Sequence, residues 1–400
     1  MFKIVNFCVG SVASKPNFVS NGGWFALPYI QNRTITSKKF REKKPKPAPF
    51  PYKERRYNYF WALFDKTFSR FDENTKLIVI EGPIGSGKNE LAKYLADEFE
   101  MKYIPDITMD FEYINDSGYD MRNLDPKLPE SVQSFDENDF LRDPYHINCA
   151  AFQIAKYRLR WIKYWQTLEH ILSTGQGVVT VRSPFSTGIF TNAMRECNYI
   201  SEPAKYYYNE IVRHTILYLY RPHLVVYLDV PVDKTMENIK KRNRDLEVNG
   251  KALTREFVQN MEDCYKDFYL REASFHSLVL HYNWVEGGDS EIVVEDIERI
   301  DFDQYLDQDV DDLKLVDWRK DEDLMDNERR IFSLKQEEYR HFFDTVLIYD
   351  APEVLAPGQD VEIHQKLWES SPGEIYAPGY NYDQGDSVLF KNRRLKKWAF

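Results

Sequence analysis

The stretch KLIVIEGPIGSGKN, residues 76–89, decides how the rest of this chain is read. Its first half, 76–81, is a short apolar run that stops at a glycine, the pattern of a strand buried on both faces of a parallel sheet. Its second half sets Gly82, Gly85, Ser86, Gly87 and Lys88 at the spacing of a phosphate-binding loop. Beyond it, Leu91, Leu95 and Phe99 recur every four residues and predict a helix. Strand, glycine loop and helix in that order make a cradle for phosphate. Backbone N–H groups converge at a helix N-terminus, the glycines let the chain curl, and the lysine reaches the terminal phosphates of a nucleotide. The residue after such a lysine ordinarily offers a hydroxyl to Mg2+, and here it is Asn89.

Working outward, the same alternation repeats. Residues 101–143 are polar and acidic, with turn signals at 116–118 and 125–126, and are expected to be a long surface insertion. Residues 144–173 form an aromatic-studded helical pattern stopped by Gly175, followed by a buried strand at 177–181. Helices are expected at 203–220, 233–242, 254–275 (with Thr254 as N-cap) and 292–302, and strands at 223–229 and 277–284. Strands alternating with helices at this spacing give an α/β fold, a parallel sheet with helices on both faces.

The flanks differ from this body. The chain's net charge of −11 divides into +10 over residues 1–60 and −21 over the rest. A body that acidic argues against nucleic acid as a partner. No acid precedes Glu42, and the basic, serine-containing segment 1–37 has the composition of a mitochondrial transit peptide. Residues 38–75, with KKPKPAPFPY at 43–52, read as a basic Pro-rich linker. Residues 303–400 are a C-terminal extension, helical and charged to about 344, then rich in proline and aromatics, and expected to wrap over the body or dock on a neighbour. Four cysteines with no CxxC pair suggest neither a disulfide framework nor a zinc site. No apolar run is long enough to span a bilayer, so membrane association is expected only through a partner.

The motifs together resemble the deoxynucleoside kinases. IEGPIGSGK at 80–88 is similar to that family's first motif, and Phe152-Gln153 falls where the family carries an FQ pair whose glutamine reads the nucleobase. Arg182-Ser183 follows a strand as in the family's acidic-Arg-Ser motif, and residues 223–247 look like its strand, helix and arginine-rich lid. The resemblance covers residues 76–302 and implies a P-loop NTPase-like sheet of the deoxynucleoside kinase type. It makes Gly82, Gly85, Ser86, Gly87, Lys88, Asn89, Gln153, Arg182, Arg242 and Arg244 the candidate nucleotide-binding residues, with no metal site and no catalytic residue assigned. Each outer member also has a bland reading: Arg182 as an ion-pair residue, Gln153 as a helix-to-backbone tie, the Lys241–Arg244 cluster as a solvated helix face.

With its basic N-terminus, Pro-rich linker, acidic insertion and long tail, the whole chain resembles one branch, the kinase-like accessory subunits of mitochondrial respiratory complex I. That resemblance implies a peripheral place on the matrix side of the inner membrane, other complex I subunits as partners, and FAD as an attributed cofactor. The loop itself has the spacing of a mononucleotide cradle and no dinucleotide fingerprint. The family's general base, a Glu before a Pro, corresponds to Ile104, and its acidic magnesium ligand before Arg182 corresponds to Val181. With Asn89, three positions for metal or proton transfer are altered. The expected role is therefore non-catalytic support of complex I assembly or stability, with a degenerate nucleotide cleft. The competing roles are an active mitochondrial deoxynucleoside kinase and a soluble nucleotide sensor.

Overall fold

A computed structural model describes residues 34–41, 45–306, 312–320, 322–347 and 351–374. The transit-like segment up to residue 33 and the aromatic tail from 375 lie outside the described residues.

The centre is a five-stranded parallel sheet in the order β2-β3-β1-β4-β5, with β1 at Leu77–Glu81, β2 at Lys102–Ile104, β3 at Val178–Val181, β4 at Leu224–Asp229 and β5 at Leu278–Asn283. β1 is flanked by a strand on each side and all five of its residues are buried. Its side chains alternate as a strand requires. Ile78 and Ile80 share a core with Leu91 and Leu95 of the helix Lys88–Glu98 and with Phe99 at its C-cap, while Leu77 and Val79 belong to a second core that includes the long helix Cys149–Thr174.

That long helix is buried nearly all round, which a two-layer surface helix would not be. Its far side is covered by Trp318, Met325, Phe332 and Phe343, and the Trp165 indole donates to the Phe332 carbonyl at 2.8 Å. The extension read as starting at 303 thus supplies a further layer of the core up to Phe343. Gly175 ends the helix in the left-handed conformation, as its position predicts.

Three other expectations are revised. Residues 101–143 are more than a surface insertion: they contain edge strand β2, and Met101, Ile104, Ile107, Met109 and Phe140 are buried. Residues 50–75 are packed against the body and do not form a free linker. Phe50, Tyr52 and Tyr57 are buried, Tyr52 Oη lies 2.6 Å from His170 Nδ1, and Asp65 pairs with the fully buried Arg329. Residues 34–37 belong to the fold as well, because Ile35 is wholly buried and Ser37 N donates to Glu298 Oε1 at 2.8 Å. The described part of the tail wraps over the body: Asp360 accepts from the Ser131 hydroxyl at 2.6 Å, and Leu367 and Trp368 pack against Met121, Leu124 and Leu128.

Candidate functional site

The phosphate loop leaves the C-terminal end of β1, where a parallel sheet places its ligand sites. Gly82 passes so close to β4 that a Cβ would stand 2.7 Å from the Leu228 carbonyl oxygen. Gly87 takes the left-handed conformation as N-cap of the helix that begins with Lys88. These two requirements explain the glycines. Glu81, the last residue of β1, is fully buried and ties three elements together. It accepts from Ser183 N at 3.2 Å, from Ser183 Oγ at 3.4 Å and from Tyr265 Oη at 3.1 Å. Burial pushes its carboxyl up from the ordinary value, and the Ser186, Arg182 and Arg160 groups oppose that.

The candidate residues fall into three groups. Lys88 is buried in the loop, its ammonium donating to the Pro83 carbonyl and, at 3.3 Å, to Ser86 Oγ. Burial, with the charges of Arg182 and Arg242, pushes its pKa well below the usual lysine value, against the pull of Glu81 and Asp106. Arg182 adopts a positive φ of 60° just past β3, and its guanidinium carbon lies 4.4 Å from the centroid of the Phe190 ring. The Lys88 and Arg182 charges lie close enough to act on one another. Asn89 is exposed at the second position of the loop's helix.

Gln153 is buried on the long helix, with its amide nitrogen donating to Thr191 Oγ1 at 2.9 Å and to the Thr187 carbonyl at 3.2 Å. Arg242 and Arg244 sit at the C-terminal end of the helix Val232–Arg242 and share the Glu247 carboxylate. The same helix leans on the loop through Asn238, which donates to the Gly85 carbonyl at 3.3 Å.

Sequence reasoning missed a buried cluster of charged groups near the loop. Lys156, Arg160 and Lys163 project from the long helix beside Gln153 and are all buried. Arg160 forms a two-pronged pair with Asp106, at 3.0 and 2.7 Å, and Lys163 Nζ is 4.0 Å from the same carboxylate. Lys163 Nζ also donates to the Pro105 carbonyl at 3.1 Å and to the Val181 carbonyl at 3.2 Å. An ammonium group thus bridges the ends of β2 and β3. Burial pushes the Lys163 pKa down to about 8, against the stabilising charge of Asp106. The stripe 153, 156, 160, 163 is polar at helical spacing, and that was the available signal.

The family model for deoxynucleoside kinase matches residues 78–316. The chain is 33% identical over 330 residues to NADH dehydrogenase (ubiquinone) 1 alpha subcomplex subunit 10, mitochondrial, of Rattus norvegicus, covering 82% of this chain and 87% of that one. It is 32% identical over 338 residues to the protein of the same name from Bos taurus, covering 82% and 91%. Deoxyadenosine kinase of Dictyostelium discoideum matches at 27% over 221 residues, 55% of this chain and 77% of that one. Among solved structures, deoxyadenosine kinase from M. mycoides with bound dATP aligns with a TM-score of 0.42 at 15% identity, covering 56% of this chain and 98% of that one. The chain belongs to the deoxynucleoside kinase family, in the branch of the mitochondrial complex I alpha subcomplex subunit 10 proteins.

Proposed function

We propose that this protein is a non-catalytic accessory subunit of mitochondrial complex I, peripheral on the matrix side of the inner membrane, that supports assembly or stability of the complex for electron transfer from NADH to ubiquinone. The observation that carries the non-catalytic part is Lys163. Its ammonium occupies the gap between Pro105 and Val181, and the side chains at the two adjacent strand ends, Ile104 and Val181, are apolar and buried. A general base contributes on the order of 10²–10⁴-fold to a rate, and neither residue can move a proton or hold a cation. Relatives named as complex I subunits over most of their length support the partner assignment. On this reading the protein co-migrates with complex I when mitochondria are solubilised in digitonin and run on a native gel. Recovery of nearly all of it as a free monomer would refute the assignment. On this reading any processing of the transit-like segment is expected before Thr34, which the packing of residues 34–37 supports.

The same reading predicts no useful deoxynucleoside phosphorylation. Purified protein given ATP and each common deoxynucleoside should turn over far below the usual enzyme median of about 10 s⁻¹. A rate near that median would reinstate the kinase alternative.

The phosphate loop is retained as a binding element. The ligand that fits residues 82–88 is a mononucleotide di- or triphosphate, since the loop offers a single run of N–H donors at one helix N-terminus, with Lys88 and Arg182 beside it. FAD, attributed by resemblance, would need a second nucleotide subsite that this loop does not supply. A nucleotide at a hundred times its dissociation constant stabilises a fold by about 2.7 kcal/mol. The melting temperature should therefore rise with millimolar nucleoside triphosphate and not with FAD, and Lys88→Ala should abolish the rise. Identical melting curves with and without nucleotide would reduce the loop to a fold element.

A further inference from the structure

We infer that residues 53–66 form a lipid-contact corner that seats directly on an anionic bilayer surface. This deepens the peripheral-subunit reading and rests on it, adding a contact with lipid to the contact with other subunits.

The short helix Tyr59–Ala62 is capped by Asn58, whose side-chain oxygen accepts from Phe60 N and Trp61 N at 3.1 and 3.2 Å. Around it, Tyr59, Phe60, Leu63 and Phe64 are 73%, 61%, 77% and 68% exposed. Phe60 meets Trp61 and Phe64 edge to face, with centroids 5.5 and 5.6 Å apart, so the rings form one surface. This surface is held in place from below. Asp65 pairs with buried Arg329, and Tyr57 N donates to Ser333 Oγ at 2.8 Å. Large apolar side chains fixed in an exposed position point to a surface that something covers.

The charges around it select the occupant. Lys53, Arg55, Arg56 and Lys66 are exposed on the flanks. The acids of the segment itself are Glu54, also exposed, and Asp65, which pairs with Arg329; nearby Asp326 is engaged by Arg330 and by Tyr57. Residues 53–66 hold four basic residues against two acids, a net of +2, whereas residues 71–400 carry −22. An anionic leaflet repels such a body and attracts this corner, which fixes the orientation of approach. Tyr, Trp and Phe bracketed by Lys and Arg is the composition that partitions into the headgroup region.

The test uses the full chain and sedimentation with phosphatidylcholine vesicles, with and without phosphatidylserine. Binding should require the anionic lipid. It should fall more than tenfold in Phe60→Asp/Phe64→Asp and in Arg55→Glu/Arg56→Glu, with the melting temperature of both variants unchanged. Hydrogen exchange on vesicles should slow across residues 53–66. Equal vesicle binding by the parent and both variants, or protection confined to residues 1–33, would overturn the proposal. So would variants that bind vesicles normally but drop out of complex I on a native gel, which would make the corner a protein contact. Loss of vesicle binding with co-migration intact supports the lipid site. Absence of the parent protein from complex I would count against the subunit reading and leave the vesicle result standing.

Discussion

Asp65→Ala is expected to cost the protein about 3–5 kcal/mol, because it leaves a buried guanidinium without its counter-charge. Arg329 is fully buried, Asp65 is 10% exposed, and the Arg329 guanidinium carbon lies 3.6 Å from the centroid of the Tyr57 ring and 5.1 Å from that of Phe50. Exposed ion pairs of the kind that Arg299 makes with Glu295 contribute at most about 1 kcal/mol, so the two classes should separate cleanly. Replacing both partners, as in Asp65→Leu with Arg329→Met, should recover most of the loss, since similar apolar volume serves a buried pair nearly as well. Denaturant unfolding of the three proteins measures this. A loss under about 1 kcal/mol in Asp65→Ala would mean that residues 50–65 are not anchored as described.

The second large effect is at Asp106. Asp106→Asn removes the carboxylate that faces Arg160 and Lys163 and leaves buried cations facing one another, again a loss of about 3–5 kcal/mol. Its pH dependence gives a signature. Burial pushes the Asp106 carboxyl up, but Arg160, Lys156 and Lys163 together outweigh that and hold it well below the usual carboxylate range. A carboxyl with a depressed folded pKa contributes its full stabilisation above its unfolded value of about 3.9, and loses it as pH falls through the folded value. The gap between parent and variant should therefore close progressively below about pH 4. A gap that stays constant down to acid unfolding would show that the variant acts by some route other than charge.

What the sequence made legible was local. The loop at 82–88, its strand, its helix and the Gly175 stop are read from spacing alone, because each depends on residues within one turn or one strand of its neighbours. The parallel sheet followed from four apolar runs. Edge strand β2 did not, because three residues, Lys102–Ile104, carry too little pattern to stand out from an acidic stretch. Residues 50–75 looked like a linker because their apolar groups, Phe50, Tyr52 and Tyr57, have no regular period and bury themselves against residues more than a hundred positions away. Of the site, the loop glycines and Lys88 were visible as a motif. Glu81 was hidden at the end of an apolar strand, and Lys156, Arg160 and Lys163 were hidden within a helix whose aromatics dominated its reading. The family resemblance located Ile104 and Val181, and only the structure put the ammonium of Lys163 between them.

The latch between the two ends of the described chain also sets an order of events. Tyr57 reaches Ser333, Asp65 reaches Arg329 and Ser37 reaches Glu298, spans of 276, 264 and 261 residues. Contacts so distant in sequence form late, since the loop between them must be closed before they stabilise anything. The sheet around β1 can assemble from residues 77–283 while the segment before it still waits. During that interval Phe50, Tyr52 and Tyr57 have no burial site, and the far face of the long helix, with Trp161 and Trp165, is bare. A ribosome or a translocating pore releases this chain from its N-terminus, so the early-born segment depends on the last-born helices, and the waiting state is the one most exposed to aggregation and in need of chaperones.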